Sequence, residues 1–173
     1  SNRIIIMKLN IKEQIINTTL QIDSREITKT KSIDGLLIYK LKKRYEKKCA
    51  ECGYILENSL MMVDRTHGIF RTIDNKSMVQ FSINYKVKTI HPEKEERYDC
   101  VINSITKMGI ISYLKLNDED TIKESPLLVI IPKEYIDDTI FEKLNEGKQI
   151  EIEILDSRMK HLSEQIQSVG KIV

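Results

Sequence analysis

Val79-Gln80-Phe81-Ser82-Ile83-Asn84-Tyr85-Lys86-Val87-Lys88 alternates apolar and polar residues without a break. Successive side chains of a strand point to opposite faces. The stretch therefore predicts one long strand, with Val79, Phe81, Ile83, Tyr85 and Val87 on a buried face and the polar set in water. Upstream, Asp74-Asn75-Lys76 reads as a turn and 68–73 as a second strand. Residues 54–63 read as another strand. Before them, Ile33, Leu37, Leu41 and Tyr45 recur every four residues, which predicts a helix over 33–47 with one apolar stripe. Asp34 near its start and Lys42, Lys43, Arg44, Lys47 and Lys48 at its end suit the helix dipole. Residues 1–30 read as extended segments, such as Thr19-Leu20-Gln21-Ile22.

Downstream, His91-Pro92-Glu93-Lys94-Glu95-Glu96 interrupts the pattern. Proline cannot donate to a ladder and holds its predecessor extended. The charge run cannot be buried. It divides the chain into a domain over 1–91 and another over 92–173. The second half reads as strands over 98–106, 110–115 and 127–131, with a turn at Lys107-Met108-Gly109 and an acidic loop over 117–124. A helix opens at Pro132, carries Ile136, Ile140 and Leu144 on one face, and closes at Gly147. Ile150, Ile152 and Ile154 mark a fourth strand, and 165–173 the fifth. Five strands with a helix after the third is the order of an OB barrel. The fold expected is thus α+β, mostly β: a helix with an antiparallel sheet, then a five-stranded OB barrel.

Composition narrows the classes. The 173 residues carry a formal net charge of +2, with 31% charged and 40% hydrophobic residues. A chain of this size buries roughly 70% of its unfolded surface and needs no disulfide or metal for stability. No apolar run approaches a membrane span, and Ile4-Ile5-Ile6 is too short for a signal-peptide core. An odd cysteine count of 3 points to a reducing compartment. Isoleucine is 29 of 173 residues, a bias shared with other AT-rich codons that suggests a large DNA virus or an AT-rich microbe.

An ordered series runs through the middle of the chain: Cys49, Gly53-Tyr54-Ile55-Leu56, Gly68-Ile69, Phe81-Ser82-Ile83-Asn84-Tyr85, Pro92, Val101 and Gly109, closing with 167–172, Gln-Ser-Val-Gly-Lys-Ile. The series resembles the stalk-subunit family of multisubunit DNA-directed RNA polymerases, which includes the seventh subunit of RNA polymerase II and its archaeal counterpart. The resemblance implies an N-terminal tip domain that docks on the polymerase core near its clamp, and a C-terminal OB domain of the ribosomal-protein-S1 type. It implies a second, helical stalk subunit as partner and weak contact with nascent single-stranded RNA. It implies transcription in the nucleus for a cellular protein, or in cytoplasmic factories and virions for a viral one. Glu93-Lys94-Glu95-Glu96 departs from the family's Gly-Glu after the proline, and 64–67 lacks a second glycine the family often has.

On such OB domains RNA stacks on aromatics of the second and third strands. The corresponding positions here are Met108, Ile111 and Ile130, all aliphatic. A stacked base contributes about 1–3 kcal/mol, so two or three losses weaken binding by orders of magnitude. The RNA-contact candidates that remain are Lys107, Tyr113, Lys115, Lys133 and the run Asp156-Ser157-Arg158-Met159-Lys160-His161, with Arg158 and Lys160 foremost. The candidates for the docking tip are Gly53, Tyr54, Arg65 and His67. The basic cluster over 40–48 reads as a wet helix face or a contact for nucleic acid or an acidic partner. Cys49 and Cys52 have the spacing of half a zinc site, which Cys100 with His67 or His91 would have to complete. A buried Cys49 at the helix end is the plainer reading. No phosphate loop, paired histidines or nucleophile motif supports catalysis. A free OB-fold RNA-binding protein, such as a translation factor or exosome-cap-like subunit, is the alternative. A redox or zinc enzyme is a third.

Overall fold

The computed structural model describes residues 9–173; Ile4-Ile5-Ile6 lies outside them. The chain forms two compact units, one of Lys12–Glu46 with Ile55–Thr89, the other including Lys47–Tyr54 and Ile90–Val173. Both are predominantly β.

In the first unit the strand β6 (Lys76–Ile90) is the spine of an antiparallel sheet. Along one edge runs β1 (Ile11–Asp23). Along the other edge β4 (Met61–Arg65) pairs Met61 with Lys86 and Arg65 with Ile83, and β5 (Ile69–Ile73) pairs Ile69 with Gln80 and Ile73 with Lys76. Asp74 (φ 51°) and Asn75 (φ 63°) are both left-handed, as a two-residue hairpin turn requires. The alternation of β6 is realised: Val79, Phe81, Ile83, Tyr85 and Val87 are buried with Leu20 and Ile22 of β1.

The helix α2 (Ile33–Tyr45) contributes Leu37, Leu41 and Tyr45 to this core. The Tyr45 ring stacks on Tyr85 at 5.3 Å, and its hydroxyl bonds Thr18 Oγ1 at 2.8 Å. Ser32 caps α2 by accepting from the Gly35 N–H.

Two expectations fail in this unit. Residues 24–29 are not extended but form a short helix, α1 (Ser24–Lys29). Asp23 caps it, accepting from the Arg25 N–H at 2.9 Å. The Arg25 side chain, then its backbone N–H, hold the Asp23 carboxyl well below its ordinary pKa. Residues 54–63 are not one strand. Asn58 turns left-handed (φ 61°) and Ser59 Oγ donates to the Leu56 carbonyl at 2.7 Å, so the run breaks between β3 (Gly53–Ile55) and β4.

The second unit is built on a closed five-stranded barrel, ordered β10-β11-β9-β8-β7. Its strands are β7 (Arg97–Thr106), β8 (Gly109–Leu114), β9 (Leu127–Pro132), β10 (Gln149–Arg158) and β11 (Ile166–Ile172). Four pairings are antiparallel; β9 and β11 run parallel. A barrel that closes its last strand in parallel against its third is OB-like. Cys100, Ile102, Ile110, Leu114, Leu127, Val129, Ile131, Ile152, Ile154 and Ile166 are among its buried residues. Each such side chain contributes about 1.5–3 kcal/mol of burial. A two-residue strand, β2 (Cys49–Ala50), pairs Cys49 with Tyr54, and the Cys49 backbone exchanges hydrogen bonds of 2.8 Å with Ser163 and Leu162.

The helix expected from Pro132 to Gly147 does not form. Pro132 ends β9, opposite Gly109. A single 3-10 turn at Lys133–Tyr135 follows, then the four-residue α3 (Asp138–Phe141). Ile136 ends the first piece, and Asp137 caps the second, accepting from the N–H and hydroxyl of Thr139. Such short polar side chains compete with helix for the backbone. Ile136 and Leu144 are still buried, but Ile140 is exposed. Among the described residues no helix is long and apolar enough to cross a membrane.

Candidate functional site

The outer face of the barrel brings several candidates together. Ile111 on β8 lies directly opposite Ile130 on β9, and Tyr113 opposite Leu128. Two of the three expected stacking positions are therefore neighbours in register. Beyond Ile130, Val169 of β11 and Asp156 of β10 continue the row. Ile130, Asp156, Ser157, Arg158, Gln167 and Ser168 line a shallow open cleft of about 210 Å³. Inside it Ser157 Oγ and Ser168 Oγ share a hydrogen bond of 2.8 Å. The cleft depends on a bulge between Ile154 and Asp156, which turns Asp156 outward opposite Val169.

The lysines divide by register. Lys107 and Lys133 bracket the end of the β8–β9 pair where Gly109 meets Pro132, and the Lys133 N–H donates to the Met108 carbonyl at 3.0 Å. Lys115 follows the opposite end of β8. Lys133 Nζ sits 5.1 Å from the Phe141 ring centre. Arg158 and Lys160 are exposed, Arg158 in the cleft and Lys160 just past β10. Tyr113 is corrected: at 8% exposure its ring is part of the core and offers no free stacking surface. Met108 at 84% and Ile130 at 41% are the exposed positions, and neither is aromatic. Sequence reasoning names Asp156 and Ser157 among the RNA-contact candidates but misses Gln167 and Ser168. Only the strand register and its bulge place them beside Ile130.

The docking candidates also need correction. Tyr54 is buried, and Gly53 is left-handed (φ 128°); a Cβ there would lie 2.6 Å from the Ile90 carbonyl oxygen. Both are packing residues rather than loop residues. Arg65 is held in place by Asp34, by the Thr66 carbonyl at 3.1 Å, and over the Phe81 ring at 5.3 Å. His67 is exposed in the loop over 66–68. Beside that loop stand exposed apolar residues not named as docking candidates from the sequence: Met61, Val63, Ile69 and Phe70.

Among the described residues no group of three or more His, Cys, Asp and Glu side chains is placed to hold a metal ion. His91 Nδ1 is buried with no hydrogen-bond partner among them. Burial pushes the Cys49 thiol up to about 11 and the Cys100 thiol up to about 12; half-buried Cys52 is raised less, again by burial. The thiolate is the reactive form. Cys49 and Cys100 should thus escape Ellman's reagent at pH 8 until the protein is unfolded, with Cys52 labelling slowly in the native state. Rapid native labelling of all three would contradict this burial.

No protein-family model matches the chain, and no curated protein matches it. Among solved structures, an uncharacterized protein from Methanocaldococcus jannaschii is similar over 49% of this chain and 96% of its own, at 19% identity and a TM-score of 0.36.

Proposed function

We propose that this chain is a non-catalytic stalk subunit of a DNA-directed RNA polymerase. Residues 1–91 dock on the core near its clamp and a barrel of the ribosomal-protein-S1 type lies along the path of the transcript. The helical second stalk subunit is its expected companion. The observation that carries the reading is the exposed apolar content of β4 and β5, with Met61 and Ile69 on the sheet face of Lys86 and Gln80, and Phe70 on the face of Val79. Met61 is 66% exposed, Val63 52%, Ile69 52% and Phe70 75%, and β5 has no buried residue at all. Clustered exposure of large apolar side chains marks an interaction surface. Alone in water, β5 would be better served by polar residues. The surface adjoins His67 and the loop that the family resemblance assigns to docking. The aliphatic barrel face disfavours the alternative of a free RNA-binding protein, because Ile111 and Ile130 give bases little to stack on.

The test is purification of the tagged chain from its native source, beside an Ile69→Asp/Phe70→Asp variant. Both residues are exposed, so each change should move stability by only about 0.5 kcal/mol. Wild type should bring the large polymerase subunits at equal stoichiometry, and the variant should lose them at least roughly tenfold, since burying an unpaired carboxylate at an apolar contact is costly. A wild-type chain that arrives alone, or with RNA only, would remove the stalk reading.

A further inference from the structure

We propose that β1 is a self-association edge: two copies of this chain pair their β1 strands antiparallel, about a two-fold axis at Asn17, and join their sheets into one. The inference does not rest on the stalk reading and uses no residue of β4, β5 or the barrel.

β1 closes one edge of its sheet, and among the described residues only β6 pairs with it. The direction of its backbone groups follows from the far side of β6. There the Thr66 N–H donates to the Ser82 carbonyl and the Leu56 N–H to the Lys88 carbonyl, each at 2.9 Å. Even-numbered residues of β6 thus turn their backbone groups away from β1. Across the polar face, Asn17 Nδ2 donates to Asn84 Oδ1 at 2.9 Å and Gln21 Nε2 to Gln80 Oε1 at 3.1 Å. Odd-numbered residues of β1 therefore oppose even-numbered residues of β6, in pairs that exchange no backbone bonds. From Glu13 to Gln21, their N–H and C=O groups point off the sheet.

Proteins blunt such an edge with charge, proline, a bulge or brevity. β1 runs for 13 residues, and from Gln14 to Ile22 it carries no charge, proline or glycine. Ile15 is 67% exposed, and Asn17 and Thr19 are exposed beside it. By contrast β5, which among the described residues also pairs with β6 alone, is short and carries Arg71 at its centre. Like charges directly opposite each other disfavour pairing.

The order of residues in β1 suits a second copy. With Asn17 facing Asn17 on the axis, Ile15 meets Thr19 and Glu13 meets Gln21. On the core face half-buried Ile16 meets Thr18. The charged residues near the ends, Lys12 and Asp23, face Ile22 and Ile11, so no like charges are opposed. Each outward pair exchanges two hydrogen bonds. Glu13 to Gln21 then supplies about ten, an ordinary number for a specific interface. Pairing uses both free edges, and the two-fold closes the assembly at a dimer.

The test is the mass of the full-length chain in solution, by light scattering on a sizing column and by sedimentation across a concentration series. Wild type should reach the mass of two 20.2 kDa chains. An Ile15→Lys/Thr19→Lys variant, checked for folding by circular dichroism, sets lysine against lysine on both sides of the axis. It should weaken association at least roughly tenfold. Mixed with an Ile15→Glu/Thr19→Glu variant, it should form a mixed dimer, because both contacts become ion pairs. The Ile69→Asp/Phe70→Asp variant should dimerise as wild type does. A wild-type chain that stays monomeric throughout the series overturns the proposal, as does a lysine variant that dimerises as tightly. So does a failure of the lysine and glutamate variants to join. Loss of the dimer in the Ile69→Asp/Phe70→Asp variant also overturns it, by moving self-association to β5.

Discussion

Replacing Gly109 with alanine should cost the barrel about 3–5 kcal/mol, a large share of the roughly 5–15 kcal/mol that keeps a domain folded. Gly109 begins β8 at φ 142°, a conformation that side chains rarely adopt. Backbone strain of that kind costs about 1–3 kcal/mol by itself. The remainder comes from the neighbours. An alanine Cβ would stand 2.2 Å from the Ile131 carbonyl oxygen and 3.0 Å from the Lys133 nitrogen and the Pro132 Cα. All of these are backbone atoms in or just past β9, so no side chain can swing away. Relief requires β8 and β9 to part where Gly109 faces both Thr106 and Pro132. The turn before it is tied as well: Thr106 Oγ1 donates to the Gly109 carbonyl and accepts the Met108 N–H. Urea unfolding followed by circular dichroism measures the loss. A Gly109→Ala protein within about 1 kcal/mol of wild type would show that the strand pair relaxes freely, and the close approach would then have no energetic meaning.

The same residue shows what the sequence could and could not convey. Lys107-Met108-Gly109 reads correctly as a turn because glycine between two strand patterns has few other uses. Likewise the β6 alternation and the Asp74-Asn75 turn read correctly, because one face is buried and both turn residues tolerate positive φ. The helix α1 left no periodic signal because none of its residues is buried. The helix expected across 132–147 is the opposite case. Ile136 and Leu144 are buried as helix spacing suggests, but two separate turns present them. At the candidate surfaces, burial was the missing quantity. Tyr54 and Tyr113 look like recognition residues in sequence and are core residues in space. Ile69 and Phe70 look like core and are exposed. Apolar periodicity records which side chains share a face. It does not record whether anything covers that face.

Tyr85→Ala should destabilise the first unit by about 3–5 kcal/mol, the range for emptying a buried aromatic site. Tyr85 is 1% exposed and sits mid-strand on the spine of the sheet. Its ring stacks on Tyr45 at an interplanar angle of 26°, an aromatic contact that adds about 0.5–1.5 kcal/mol beyond burial. Removing it leaves a void that Phe81, Ile83 and Val87 on the same strand cannot close without moving the sheet. Tyr85→Phe separates volume from hydroxyl. It keeps the ring and the stack, so its loss should stay near the roughly 1 kcal/mol of one hydrogen bond. Tyr45 rests on Tyr85 and in turn seats the Arg44 guanidinium. Urea unfolding of both variants beside wild type tests this. Equal stability losses for Tyr85→Ala and Tyr85→Phe would mean that the hydroxyl, not the packed ring, anchors the strand. A stable Tyr85→Ala protein would mean that α2 does not depend on this stack to hold its exposed face in place.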